Sequence, residues 1–344
     1  MLEPFQLARQ LIDISSITGQ ERLLGEVLER ILRTLGLNVE REQVSGDRFN
    51  IFATTNEHPL VLLCTHIDTV PPFFASSEDD EYIYGRGACD TKGILAAMLC
   101  AAQRLIADGV AQFGLLFVVG EETDSIGAKT ANRSLESCGS RFVIVGEPTD
   151  STFVAATKGA LTCVLRFEGV AAHSAYPERG SSAILKMMGA LREIVEIDWG
   201  RHPVLGEATV NVGVIRGGAK PNIVPAEAEA EMIFRTTGSP EEVAERVSEI
   251  VHRYGGHILS SHGNEPTFML VPPDAPSSVA AFNTDVPHLK NLGRPILFGP
   301  GSILDAHTAA EKIAKGEIIS AIETYRELVS LILSGRMDSV HVQG

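Results

Sequence analysis

Leu60-Val61-Leu62-Leu63-Cys64-Thr65-His66 is an apolar, strand-like run that ends in a histidine. Two further runs have the same form. Leu115-Leu116-Phe117-Val118-Val119-Gly120 ends in Glu121-Glu122, and Phe142-Val143-Ile144-Val145-Gly146 ends in Glu147. Short apolar runs of this kind read as strands buried on both faces. Metal-type donors at three such tips place a site at the carboxyl edge of an α/β sheet, where these sheets hold ligands. Imidazole nitrogen and carboxylate oxygen without cysteine suit zinc or a similar divalent ion.

Outward from these runs, strands and helices alternate. Residues 4–15 and 21–35 carry Leu and Ile at helical spacing, punctuated by Gly19 and Gly36. Strands are expected at 48–54 and 60–65, then a polar excursion from Pro71 to Glu81. A helix begins after Asp90, followed by strand 113–119, helix 126–137 and strand 141–146. This alternation predicts an α/β fold with a largely parallel sheet covered by helices.

From about residue 159 the order becomes βαββαβ: strand 161–167, helix 181–195, strands 209–215 and 226–234, helix 240–254 and a short strand 257–260. That is a ferredoxin-like unit. The predicted organisation is a catalytic domain over 1–158 and 266–344, with an inserted lid or dimerisation domain over 159–265. A strand at 295–298 and a long helix from about Ala309 to Ser334 return the chain to the α/β pattern.

Composition narrows the function classes. The net charge of −15 argues against a nucleic-acid partner, which needs a basic footprint. No apolar run is as long as a membrane span, and the N-terminus lacks the basic and apolar regions of a signal peptide. Cys64, Cys89, Cys100, Cys138 and Cys163 form no C-x-x-C pair. An odd count without a framework points to reduced thiols and a cytoplasmic location.

The donors form an ordered set. His66 and Asp68, two apart on an extended strand end, project to one face. Asp90 sits in Tyr84-Gly85-Arg86-Gly87-Ala88-Cys89-Asp90-Thr91-Lys92-Gly93, where glycines free the backbone at the mouth of a helix. A carboxylate there can bridge two cations. Adjacent Glu121 and Glu122 can divide the work of base and ligand. A lone His-x-Asp is ordinarily structural and a lone Glu-Glu a solvated pair. The ordered combination is what points to a hydrolytic metal site. The turn at Gly85-Arg86-Gly87 fits neither nucleotide-binding fingerprint, which disfavours a nucleotide-binding module.

At this point the chain resembles a known family. Cys64-Thr65-His66-Ile67-Asp68-Thr69-Val70-Pro71, the Gly85–Gly93 stretch, Gly120-Glu121-Glu122-Thr123 and Val145-Gly146-Glu147-Pro148-Thr149 are similar to motifs of the di-zinc acetylornithine deacetylase, succinyl-diaminopimelate desuccinylase and aminoacylase family of metallopeptidases. His173-Ser174-Ala175-Tyr176-Pro177, Asn222-Ile223-Val224-Pro225-Ala226-Glu227, Phe298-Gly299-Pro300-Gly301-Ser302 and Ala306-His307-Thr308 continue the match in order.

The resemblance implies a zinc-peptidase sheet and two divalent ions, Zn²⁺ or Co²⁺. It implies one ion on His66, Asp90 and Glu147 and the other on Asp90, Glu122 and His307. Glu121 would be the general base and Asp68 would support His66. His173 would reach the partner's site in a homodimer, and Asn222 and Arg235 would bind the substrate carboxylate.

Gly299-Pro300-Gly301-Ser302 with Asp305-Ala306-His307 looks most like the acetylornithine deacetylase branch. The expected substrate is therefore a small N-acyl amino acid, N-acetylornithine or N-acetyl-lysine, in arginine or lysine biosynthesis. The alternatives are a succinyl-diaminopimelate desuccinylase, a carboxypeptidase or dipeptidase of the same family, and a non-catalytic dimeric binding protein. Two departures stand out. The family often has Asn-Glu or Asp-Glu shortly after its Ala-His. Here Thr308-Ala309-Ala310-Glu311 follows, which predicts a different partner behind the site. The segment from about Pro266 to Phe298 is shorter than usual.

Overall fold

The computed structural model describes residues 2–56 and 58–342. The chain divides into two units. The first comprises Met1–Ala155, Phe268–Ser278 and Thr284–Gly344, and the second Ala156–Thr267 and Val279–Asn283.

In the first unit, strands Val61–His66, Phe113–Val118 and Phe142–Val145 are buried at every position, as strands covered on both faces must be. With Arg294–Leu297 they form the parallel centre of a nine-stranded sheet. Their register aligns the tips: His66 lies beside Val118, and Cys64 and Leu297 both pair with Val145. Antiparallel strands flank this centre, Arg48–Thr54 with Asn38–Ser45 on one side and Phe153–Thr157 on the other.

Alternate side chains along these strands face opposite layers. Leu63, Leu115, Phe117, Ile144 and Ile296 join a core shared with helices Pro4–Ile12, Arg22–Thr34, Gly93–Ala107 and Lys315–Leu333. Helix Ile126–Ser134, which packs against the short turns Val286–His288 and Lys290–Leu292, lies outside that core. Pro4–Ile12 starts where the Glu3 side chain accepts from the Phe5 and Gln6 N–H groups, with Pro at the first position, where its missing donor costs nothing. Gly93–Ala107 is buried almost all round. It must open with glycine, because a Cβ there would lie 2.5 Å from the Ala88 carbonyl oxygen. Among the described residues no helix is long and apolar enough to cross a membrane.

The second unit carries strands in the spatial order Thr209–Gly217, Glu227–Thr236, Gly159–Glu168 and Gly256–Asn264, all antiparallel. Helices Ala183–Glu196 and Pro240–Arg253 complete a βαββαβ chain order. On Glu227–Thr236, Ala228, Ala230, Met232 and Phe234 face the core with Val247, Ile250 and Val251 of the second helix. The intervening glutamates face the other way and pair with Arg166 and Arg216. Ser239 caps Pro240–Arg253 by accepting from the Glu241 and Glu242 N–H groups, the usual role of a serine there.

Several boundaries differ from expectation. The last helix begins at Lys315, not near Ala309, because Lys312–Ala314 is a strand paired with Tyr82–Tyr84. The polar excursion before Tyr82 also contributes a short strand, Ser77–Glu78, to that small sheet. Gly256–Asn264 continues well past Ser260, since pairing with Gly159–Glu168 resumes after a register shift at Ile258 and Ser260. Only Val39 of Asn38–Ser45 is buried, so that strand lacks the apolar signal.

Candidate metal centre

The aligned strand tips deliver the donors. After Val118 the chain turns at Gly120, whose φ of +83° suits glycine. The turn that follows hangs on Asp68. Asp68 Oδ1 accepts from the N–H groups of Gly120 at 2.9 Å and Glu121 at 3.1 Å. Oδ2 accepts from the Thr18 hydroxyl at 2.8 Å and the Glu122 N–H at 3.2 Å. One buried carboxylate thus ties the His66 strand to the turn carrying both glutamates. His66 Nδ1 lies 3.0 Å from the backbone carbonyl of Asp68 and 3.5 Å from its carboxylate.

Asp90 reaches the same place from the mouth of helix Gly93–Ala107. Gly87, at φ +84°, precedes it, the Asp90–Thr91 peptide is cis, and the Thr91 hydroxyl donates to the His66 carbonyl at 2.7 Å. Asp90 Oδ1 lies 2.9 Å from His66 Nε2, and Oδ2 lies 3.3 Å from His307 Nε2. His307 Nε2 is also 3.0 Å from a Glu122 oxygen, and Glu147 Oε2 is 3.9 Å from His66 Nε2. Two donor sets result, His66–Asp90–Glu147 and Asp90–Glu122–His307. Each set has one atom per residue within 4.8 Å of the others, and Asp90 is shared.

The charges explain why such a cluster suits cations. Burial opposes ionisation of Asp90, yet its hydrogen bonds with His307 and His66 hold it well below the usual carboxylate range. Those with Asp90 and Glu122 push His307 up to about 10. Burial disfavours the His66 imidazolium, but Asp68 and Asp90 more than offset it and raise its pKa. Glu147 is pushed well up by burial, against the pull of His66 and with the push of Asp90. Glu121 is pushed well up by burial and then by the charge of Glu147. The imidazoliums hold together carboxylates that would otherwise repel. A dication at each set would do the same and would release the histidine protons. The donors are nitrogen and oxygen, as zinc accepts.

Three expected residues lie in the second unit. His173, exposed on a loop, bridges by its backbone to Ile223, and Ser174 N–H donates to the Asn222 carbonyl at 3.1 Å. The structure therefore brings the His173 and Asn222 loops together. Arg235 is half-buried near the end of Glu227–Thr236, and burial lowers its pKa. Among the described residues no carboxylate lies within ion-pairing distance of it.

Sequence reasoning missed other contributors. Thr18, which supports Asp68, is remote in sequence and carries no motif. Asp285, in the shortened segment, is buried and pushed up to about 7, chiefly by burial, despite His66 and a hydrogen bond with Ser125. Glu311, singled out only as a departure, lies buried beneath Asp90.

Residues 155–259 match the peptidase dimerisation domain of M20 enzymes. The chain is 34% identical to a peptidase M20 domain-containing protein of Schizosaccharomyces pombe, over 94% of this chain and 83% of that one. It is 36% identical to a probable carboxypeptidase of Paracoccidioides brasiliensis, over 94% and 84%. The fold superposes on the M20 family metallo-carboxypeptidase of Sulfolobus solfataricus with a TM-score of 0.78 at 18% identity, covering 96% of this chain and 99% of that one.

Proposed function

The chain belongs to the M20 family of peptidases, and we propose that it is a metal-dependent hydrolase that releases the C-terminal residue of a short peptide. The observation that carries this reading is Asp90, whose two oxygens face His66 and His307 and so join two donor sets. The Paracoccidioides relative, a probable carboxypeptidase, favours a carboxypeptidase over a deacetylase. The acetylornithine deacetylase branch expected from Gly299–Ser302 and Asp305–His307 gains no support from these relatives. It stands as the second reading, resting on those motifs alone.

In this proposal His66, Asp90 and Glu147 hold one ion, and Asp90, Glu122 and His307 the other. Zn²⁺ is the proposed ion, with Co²⁺ able to replace it. When bound, the ions supply Lewis acidity toward the amide carbonyl. Glu121 takes a proton from the attacking water as its oxygen bonds to the carbonyl carbon. Glu121 then delivers that proton to the nitrogen as the C–N bond breaks. A carboxyl whose pKa is raised by burial and by Glu147 suits both halves of that transfer. Arg235, cationic and without an ion-pair partner among the described residues, binds the free carboxylate of the substrate with Asn222. The dimerisation-domain match supports a homodimer, in which His173 of one subunit stabilises the oxyanion in the other. The free cysteines support a cytoplasmic location.

The test is a panel on metal-loaded protein: dipeptides, N-blocked peptides, N-acetylornithine, N-acetyl-lysine and succinyl-diaminopimelate. Release of a C-terminal amino acid from peptides is expected. Acetate or succinate release with inert peptides would move the assignment to the deacylase branch. No turnover with both ions bound would favour a non-catalytic binding protein.

A further inference from the structure

Glu311 lies four residues beyond His307, just before the strand Lys312–Ala314 that pairs with Tyr82–Tyr84. That pairing sets Glu311 against the loop leading to Asp90, where its carbonyl accepts from the Gly85 N–H at 3.1 Å. Its side chain enters the loop. Oε1 accepts from the N–H groups of Cys89 at 3.3 Å and Asp90 at 3.2 Å. Oε2 meets Arg86 Nη1 at 2.7 Å, with both side chains almost wholly buried. Arg86 is held in turn by the Pro72 carbonyl at 3.2 Å and lies over the Phe74 ring.

We infer that the Arg86–Glu311 ion pair positions the second metal site by clamping the backbone of Asp90 to the segment that carries His307. The inference rests on the metal-centre reading above. A buried ion pair is weak evidence for stability, since two apolar side chains often replace one without loss. This pair instead joins, through one carboxylate, the segments of two donors remote in sequence. His66 and Glu147 need no such clamp, because they sit on strand tips fixed by the sheet. The set Asp90–Glu122–His307 should therefore depend on Glu311 more than the set His66–Asp90–Glu147.

The experiment titrates metal-free protein with Co²⁺, following its visible absorption and the stoichiometry, alongside thermal unfolding. Wild type should take up two ions. Glu311→Gln keeps an acceptor for the two N–H groups but loses the charge opposite Arg86. It should weaken one of the two ions by about 10–100-fold, the usual effect of losing a group that orients a ligand, and the other much less. Arg86→Lys keeps the charge but loses the Pro72 bond and the packing on Phe74, so it should weaken the same ion, by less than Glu311→Gln. A double variant, Arg86→Leu with Glu311→Leu, removes both buried charges. It also leaves the Cys89 and Asp90 N–H groups without their acceptor, so it should recover neither the unfolding temperature lost in Glu311→Gln nor the affinity of the weakened ion. Wild-type affinity for both ions in the double variant would overturn the clamp, as would equal weakening of both in Glu311→Gln. Wild type that binds no Co²⁺ would overturn the metal-centre reading itself.

Discussion

Replacing Asp68 by Asn changes one atom of a buried carboxylate and tests how the Glu121–Glu122 turn is held. The carboxylate accepts four hydrogen bonds, two at each oxygen. An amide offers one oxygen. If the NH₂ group faced Gly120 and Glu121, two backbone N–H groups would be stranded. Facing Thr18 and Glu122 is better, because the Thr18 hydroxyl can rotate and accept. One donor, the Glu122 N–H, then stays unpaired, and the remaining bonds lose their charge. A hydrogen bond to a charged group contributes about 1.5–3 kcal/mol, and a stranded buried donor costs about 1–3. The expected loss is therefore about 3 kcal/mol, measured by urea unfolding of the metal-free protein near neutral pH. Burial works against the Asp68 charge, yet the His66 imidazole and the Thr18 and Glu122 donors hold its pKa below the usual range. A depressed acid adds stability above its unfolded pKa and loses it as pH falls through the folded one. The gap between wild type and Asp68→Asn should close only in strong acid. Turnover should also drop, by roughly 10²-fold if Glu121 is displaced by about 1 Å. Unchanged stability and unchanged turnover in Asp68→Asn would refute the view that Asp68 holds this turn.

Other outcomes follow from the same geometry. Glu121→Gln should keep both ions and the fold while turnover falls by about 10²–10⁴-fold; near-normal turnover at full metal occupancy would remove Glu121 as the base. Ion affinity should rise with pH across the neutral range, by up to about tenfold per unit for each proton released. The reason is that His307, raised to about 10, and His66, also raised, must each give up a proton to serve as ligands. A pH-independent Co²⁺ affinity would contradict this. Mixing inactive Glu121→Gln chains with inactive His173→Ala chains should regenerate some activity, because each mixed dimer holds one site with an intact base and an intact histidine. Demonstrated subunit exchange without activity would exclude action of His173 across the dimer.

The sequence alone was enough for the central sheet and for the order βαββαβ. Residues 61–64 and Phe142–Val145 are apolar throughout, and residues 227–232 alternate strictly. These are local signals of burial on two faces or on one, and a short window contains them whole. Asn38–Ser45 was not legible because its residues are mostly polar, and Lys312–Ala314 because its ladder depends on a distant partner, Tyr82–Tyr84. The donor residues could be named from strand tips and motifs. The sharing of Asp90 by two donor sets could be expected from the family resemblance, but not the distances between chain segments that it depends on. Only the folded chain sets the two oxygens of Asp90 toward His66 and His307, hangs the Glu121–Glu122 turn on Asp68, and slides Glu311 beneath Asp90 beside Arg86. Sequence spacing reports which side chains can share a face of one element. Contacts such as Arg86 with Glu311 join residues more than two hundred positions apart, and only packing and strand pairing decide which distant groups meet.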